Sequence, residues 1–84
     1  MKYIGFKLNA VVDHDGECTP DYNIKFQSEL DNANANENGQ FFWTVYGILS
    51  DNTVQAIADF GNLEDAKEIR DLLALGLEAI NERD

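Results

Sequence analysis

Apolar and polar residues alternate along much of the first two thirds of the chain. Between residues 3 and 12, every second residue from Ile4 onward is apolar, and this two-residue period is typical of a half-buried strand. Residues 41–49 (FFWTVYGIL) carry apolar side chains on both faces, as expected for a central strand that is covered on both sides or uses its second face for interaction. After a short turn, residues 53–60 supply the partner strand of a hairpin.

The segment that follows the first strand predicts a turn and a return strand. The pair Asp15–Gly16 is typical of a tight turn, because glycine adopts a positive φ without steric cost. Pro20 has no N–H to donate to a central strand, so we expect the return strand to follow it, over residues 22–29. Residues 31–40 (DNANANENGQ) are polar and rich in Asn, which predicts a mobile loop.

A helix is the alternative for residues 20–30. Thr19 would be its N-cap and Pro20 its first residue. Its apolar stripe would consist of Tyr22, Phe26 and Leu30. Ile24 falls outside that stripe, so the strand is favoured.

The last third of the chain predicts a helix over about residues 63–82. Asn62 is suited to accept hydrogen bonds from the first free amides of that helix. An apolar stripe with helical spacing consists of Ala66, Ile69, Leu73, Leu77 and Ile80. Gly76 is unfavourable inside a helix; it either allows the helix to approach the sheet closely or ends a first segment near Leu75.

Together these elements predict one α+β domain over residues 1–84. Its small antiparallel sheet has three to four strands, and one long C-terminal helix packs on one face of that sheet. The pattern shows no internal repeat and no linker between domains.

The composition adds a strong acidic bias to this plan. The chain has sixteen Asp and Glu residues but only six Lys and Arg residues, which gives a formal net charge of −10. Since 44% of the residues are hydrophobic, the chain can still form a core, and we expect its surplus charge to face a partner. Nucleic acids and anionic membranes carry the same sign of charge, so direct binding to either is not expected.

The cysteine count and the apolar pattern of the sequence predict the cellular location of the protein. Cys18 is its one cysteine, so no internal disulfide forms. The start of the chain, MKYIGFKLNAVV, does not have the pattern of a signal peptide, and no apolar stretch reaches the roughly 20 residues that span a bilayer. We therefore expect a cytoplasmic protein of the host cell.

Candidate catalytic and metal-binding residues concentrate in one loop. Its possible ligands are Asp13, His14, Asp15, Glu17 and Asp21, but their spacing does not match that of a calcium-binding EF-hand loop. His14 and Cys18 are too few for a structural zinc site, and nearby carboxylates would raise the pKa of the thiol and weaken it as a nucleophile. Glycine-rich phosphate motifs are absent from the sequence. We therefore predict no catalytic residue, no metal, no cofactor and no enzymatic activity.

A row of acidic residues is the first candidate for partner binding. The row consists of Glu64, Glu68, Asp71, Glu78 and Glu82, which share one side of the predicted helix over roughly 27 Å. Asp13, Asp15 and Glu17, or Glu29, Asp31 and Glu37, would extend it. Since the phosphates of one DNA strand advance by about 3.4 Å per nucleotide, such a row is suited to the basic surface of a nucleic-acid-binding protein or nuclease complex.

An apolar surface is the second candidate. Its residues are Trp43, Tyr46, Leu72 and Leu75. Their apolar surface is larger than one sheet face would cover, and aromatic anchors supply much of the affinity at protein interfaces. This surface would serve a homodimer or an adaptor.

In size, acidity and plan, the whole chain resembles the small proteins that phages and mobile elements use to block host defence, particularly anti-CRISPR proteins. The segment 54–66 (VQAIADFGNLEDA), a strand followed by a capped helix, is similar to segments of many short phage and plasmid proteins. This resemblance carries over no individual residue. It implies a stoichiometric inhibitor that occupies a basic nucleic-acid channel or the surface of a nuclease complex, and mimicry of DNA by its acidic surface is one way to do so.

Overall fold

The computed structural model describes residues 2–82, which form a four-stranded sheet and three helices. In chain order the elements are β1 (Tyr3–His14), β2 (Glu17–Pro20), α1 (Gln27–Asn36), β3 (Gln40–Leu49), β4 (Val54–Phe60), α2 (Leu63–Leu75) and α3 (Leu77–Glu82). The strand order is β2-β1-β3-β4, and each neighbouring pair is antiparallel. The predicted α+β fold with a small antiparallel sheet is therefore confirmed. Within residues 2–82, no helix is both long enough and apolar enough to cross a membrane.

Both hairpins close through tight turns with positive φ angles. Between β1 and β2, Asp15 and Gly16 have φ angles of 53° and 90°, and the Gly16 N–H donates to Asp13 Oδ1 over 2.8 Å. Between β3 and β4, Asn52 has a φ of 69°. These conformations match the right-handed twist of the flanking strands. The sequence predicted both turns from their polar and glycine residues.

The return strand lies earlier in the chain than predicted. The strand expected over residues 22–29 is wrong: the chain instead forms the short edge strand β2, whose last residue, Pro20, lies opposite Val11. An edge strand accommodates proline because one side of it needs no hydrogen bond. The alternative helix that starts at Pro20 is also wrong, since α1 begins at Gln27.

Most of the asparagine-rich segment is a helix: the mobile loop expected over residues 31–40 is wrong for residues 31–36, which belong to α1, and only residues 37–39 lie outside helix and strand. Leu30 and Ala33 are 1% and 2% exposed, so α1 is anchored by two buried side chains. The side chain of Asn34 pairs with the backbone of Phe41: its Nδ2 donates to the carbonyl over 3.0 Å, and its Oδ1 accepts from the N–H over 2.8 Å. Tertiary contacts thus select a helix that local propensity does not favour.

The C-terminal region contains two helices, so the prediction of one long helix is wrong. Gly76 has φ −91° and ψ 8°, which departs from helical geometry and ends α2 at Leu75. The Gly76 N–H still donates to the Leu72 carbonyl over 3.1 Å, and α3 begins at the next residue. Of the two roles considered for Gly76, the structure shows the end of a first helical segment.

The core lies between one face of the sheet and the helices. Its buried residues are Ala10, Val12, Leu30, Ala33, Phe41, Trp43, Val45, Leu63 and Ala66. Directly paired positions of β1 and β3, such as Ala10 with Trp43, contribute neighbouring side chains to it. The N-terminus of α2 is fixed over this core by Asn62, whose side chain accepts from the N–H of Glu64 over 2.8 Å, in agreement with the predicted cap.

Candidate functional site

The outer side of α2 gathers acidic and apolar side chains on one exposed strip. Leu63 and Ala66 turn the inner side of this helix into the core, and the opposite side is left to solvent. By helical spacing, that side presents the residues that we define as the α2 acidic face: Glu64, Glu68, Asp71, Leu72 and Leu75. All five are exposed.

Nearby cations leave most of the negative charge of this face uncompensated. Lys67 Nζ lies 3.8 Å from Glu64 Oε1, and Arg70 Nε lies 3.1 Å from Asp71 Oδ1. The two carboxylate side chains are 84% and 67% exposed, and such exposed pairs contribute about 0–1 kcal/mol. Glu68 forms no ion pair within residues 2–82. The carboxylates therefore remain available to a partner.

Two leucines give the same face an apolar end. Leu72 is 56% exposed and Leu75 is 85% exposed, although both would favour burial. A large exposed leucine is ordinary when it stands alone, but these two are neighbours on the helix and adjoin the carboxylates. Apolar residues flanked by charged ones are the usual composition of a protein interface.

The structure separates the other predicted acidic residues from this face. Glu78 and Glu82 belong to α3, beyond the break at Gly76, so the continuous row of five on one helix is not formed. Asp13, Asp15 and Glu17 lie at the turn between β1 and β2. Glu64, Glu68 and Asp71 are thus the members of the predicted set that one helix face brings together.

The predicted apolar surface is distributed over three places. Trp43 is 2% exposed in the core, and its Nε1 donates to Gln27 Oε1 over 2.9 Å, so its assignment to a surface is wrong. Tyr46 lies on the second face of the sheet, where Lys7 Nζ is 5.7 Å from the centre of its ring. Only Leu72 and Leu75 among the four are neighbours.

The hairpin turn does not bring the Cys18 thiol and the His14 imidazole together. Cys18 pairs with Asp13 while His14 pairs with Glu17, and successive pairs of a hairpin project to opposite faces, which separates the thiol from the imidazole. Partial desolvation and the charges of Asp13 and Asp59 raise the pKa of the Cys18 thiol. Within residues 2–82, no group of three or more His, Cys, Asp and Glu side chains could hold a metal ion.

Gln27 supports the α2 acidic face and escaped the sequence analysis. Its Oε1 accepts from Trp43 Nε1 over 2.9 Å and from the Leu63 N–H over 2.7 Å, while its Nε2 donates to the Gly61 carbonyl over 3.0 Å. One amide therefore joins the start of α1, the core and the start of α2. The sequence carries no signal for this role, because Gln27 falls within the strand predicted over residues 22–29 and its partners are distant in sequence.

Comparison of the chain with protein-family models, with curated proteins and with solved structures finds no match. The geometry of the α2 acidic face is therefore the basis for a functional proposal.

Proposed function

We propose that this chain is a non-enzymatic protein ligand that binds the basic, nucleic-acid-binding surface of a partner through the α2 acidic face. Its biological role would be that of an anti-CRISPR-like inhibitor, encoded by a phage or mobile element, that blocks a nuclease complex in the host cytoplasm. The observation that carries the proposal is the exposed strip of Glu64, Glu68 and Asp71 that continues into Leu72 and Leu75.

The charges of this face suit a nucleic-acid-binding partner. Proteins that hold nucleic acids line their channels with Lys and Arg, and these channels attract a folded acidic surface over long range. Because the carboxylates stand on a regular helix, binding does not require the ordering of a flexible acidic tail. The acidic face would therefore govern the association rate and the salt dependence.

The leucines supply the part of the affinity that charge alone does not give. Complete burial of a leucine side chain contributes about 1.5–3 kcal/mol. Leu75 is 85% exposed and so has nearly all of this contribution left to gain at an interface. A partner that combines a basic groove with an apolar margin would bury Leu72 and Leu75 beside the ion pairs.

A displacement assay tests this proposal. Fluorescently labelled duplex DNA is bound to each of a panel of purified RNA-guided nuclease complexes, and its anisotropy is followed as the protein is added. We expect stoichiometric displacement from at least one complex, weakening as NaCl rises from 50 to 200 mM. The triple reversal Glu64→Lys/Glu68→Lys/Asp71→Lys should abolish it. Displacement from no complex, or equal displacement by the triple variant, would contradict the proposal.

A homodimer is the second candidate function, and the exposure of Leu72 and Leu75 is the observation in its favour. Size-exclusion chromatography with light scattering at 50 and 500 mM NaCl separates the two. A dimer that persists at high salt and is lost in Leu72→Ser/Leu75→Ser would support self-association. A monomer at both salt concentrations, which we expect, leaves this face free for a different protein.

A further inference from the structure

A cavity of about 480 Å³ opens beside the edge of β1. Since β2 pairs only with Val11 to His14, the preceding part of β1 has no strand on that side. The chain between β2 and α1 passes along this edge, where the Asp21 N–H donates to the Ala10 carbonyl over 2.9 Å, and α2 contacts β1. The residues that line the cavity are Leu8, Asn9, Ala10, Tyr22, Ile24, Lys25, Trp43, Leu63, Lys67 and Arg70.

The charge of this cavity is opposite to that of the whole molecule. Lys25, Lys67 and Arg70 line it, and none of the acidic residues does. These are three of only six basic residues in a chain with a net charge of −10, and they line one cavity. A cavity that collects cations in an acidic protein favours an anionic ligand.

The three cations are free to bind such a ligand. Lys25 forms no ion pair within residues 2–82, while Lys67 and Arg70 contact Glu64 and Asp71 only through exposed pairs that solvent weakens. Arg70 uses its Nε toward Asp71, which leaves its terminal nitrogens for a ligand. Two ammonium groups and a guanidinium suit a phosphate, whose charge near pH 7 is about −1.5 to −2.

The remaining walls indicate what the phosphate would be attached to. Leu8, Ile24 and the ring of Tyr22 form an apolar side, and Tyr22 is 63% exposed, so a flat ring could cover it.

We propose that this cavity binds a nucleoside monophosphate. Lys25, Lys67 and Arg70 would hold the phosphate, and the apolar side would contact the base. The cavity volume falls within the range of about 300–1,000 Å³ that is typical of small-molecule sites. This site is separate from the acidic face and does not depend on the function proposed for it.

Trp43 supplies the signal for a test. It lines the cavity and is the only tryptophan of the chain, so its fluorescence reports occupancy. Titration with AMP should change the fluorescence saturably and raise the melting temperature. Adenosine and inorganic phosphate, as separate probes, should each bind at least tenfold more weakly than AMP.

Variants that remove positive charge from inside or outside the cavity locate the site. The double variant Lys67→Gln/Arg70→Gln should bind AMP at least tenfold more weakly, and Lys25→Gln should also weaken it. The control Lys2→Gln removes a charge from outside the cavity and should change affinity less than twofold. If the double variant fails to fold by circular dichroism, Lys25→Gln decides alone. No saturable response to AMP, equal binding by the cavity variants, or inorganic phosphate as effective as AMP would overturn the proposal.

Discussion

At the residue scale, single side chains hold together elements that the hydrophobic pattern does not connect. Gln27 bonds with Trp43, with the first amide of α2 and with Gly61, and Asn34 joins α1 to β3 through two hydrogen bonds. Both are polar residues, for which local sequence alone predicts solvent exposure. Their importance arises from their partners, which are distant in sequence.

Replacing Gln27 should therefore lower the stability of the fold by more than is usual for a partly exposed residue. In Gln27→Met, the Trp43 indole N–H and the Leu63 N–H both lose their acceptor, and each unsatisfied buried donor costs about 1–3 kcal/mol. We expect the free energy of unfolding in urea to fall by about 2–4 kcal/mol. Gln40→Met, at an exposed position, is the control and should change it by less than about 0.5 kcal/mol. Equal effects of the two substitutions would contradict the assigned role of Gln27.

Tyr46 should ionise late in an alkaline titration. Desolvation first, and then the negative charge of Asp59, raise the pKa of its phenol above the ordinary value of 10.0. A group whose pKa is raised in the folded state contributes stability below its unfolded pKa and loses that contribution as pH rises through the folded value. We expect a late phase in tyrosinate absorbance that Tyr46→Phe removes, together with a smaller loss of stability above pH 10. A titration curve whose late phase survives in Tyr46→Phe would refute this.

At the element scale, the strands with strong periodicity were predictable and the segments held by tertiary contacts were not. Alternation located β1 closely, a run apolar on both faces located β3, the turn after it located β4, and the cap at Asn62 located the start of α2. Apart from the helix break at Gly76, the errors in the predicted elements fall between Glu17 and Gln40, where β2 is four residues long and α1 buries only Leu30 and Ala33. Two buried residues give too weak a helical pattern to outweigh ten residues rich in asparagine.

The candidate site was predictable to a similar degree. Helical spacing placed Glu64, Glu68 and Asp71 on one face because the α2 stripe is regular. It also extended that face to Glu78 and Glu82, because a glycine inside a helical pattern does not state whether the helix continues. The cavity beside β1 escaped prediction altogether, since its walls come from four separate parts of the chain.

Gly76 and Gly39, which both lie at the boundaries of elements, differ in how much room they leave for a side chain. A Cβ added at Gly76 would lie 3.5 Å from the Leu72 carbonyl oxygen, which is ordinary contact, whereas one at Gly39 would lie 2.8 Å from the ring of His14. Gly39 also has a φ of 106°. We expect Gly76→Ala to raise the stability of the protein by about 0.4–1 kcal/mol and Gly39→Ala to lower it by at least about 1 kcal/mol. Chemical denaturation measures both, and a loss in Gly76→Ala would show that the helix break needs glycine.

At the scale of the whole molecule, α2 carries cations toward the cavity and carboxylates on its outer side, while further carboxylates lie at the β1–β2 turn, on α1 and on α3. Three cations face the cavity beside β1, while Glu64, Glu68 and Asp71 occupy the outer side of α2. Lys67 and Arg70 stand between these two surfaces. One helix thus borders both the positive cavity and the α2 acidic face. Because the carboxylates of that face lie together, their effect on binding can be separated by experiment from the effect of the net charge.

The binding of two charge-matched variants to a nuclease complex that the protein inhibits tests the central claim most directly. Glu64→Lys/Glu68→Lys/Asp71→Lys and Glu17→Lys/Glu37→Lys/Glu82→Lys change the net charge equally, but only the first alters the α2 acidic face. By calorimetry at 100 mM NaCl, we predict at least a hundredfold loss of affinity for the first variant and less than a tenfold loss for the second. Equal losses would show that overall charge, and not this face, determines binding.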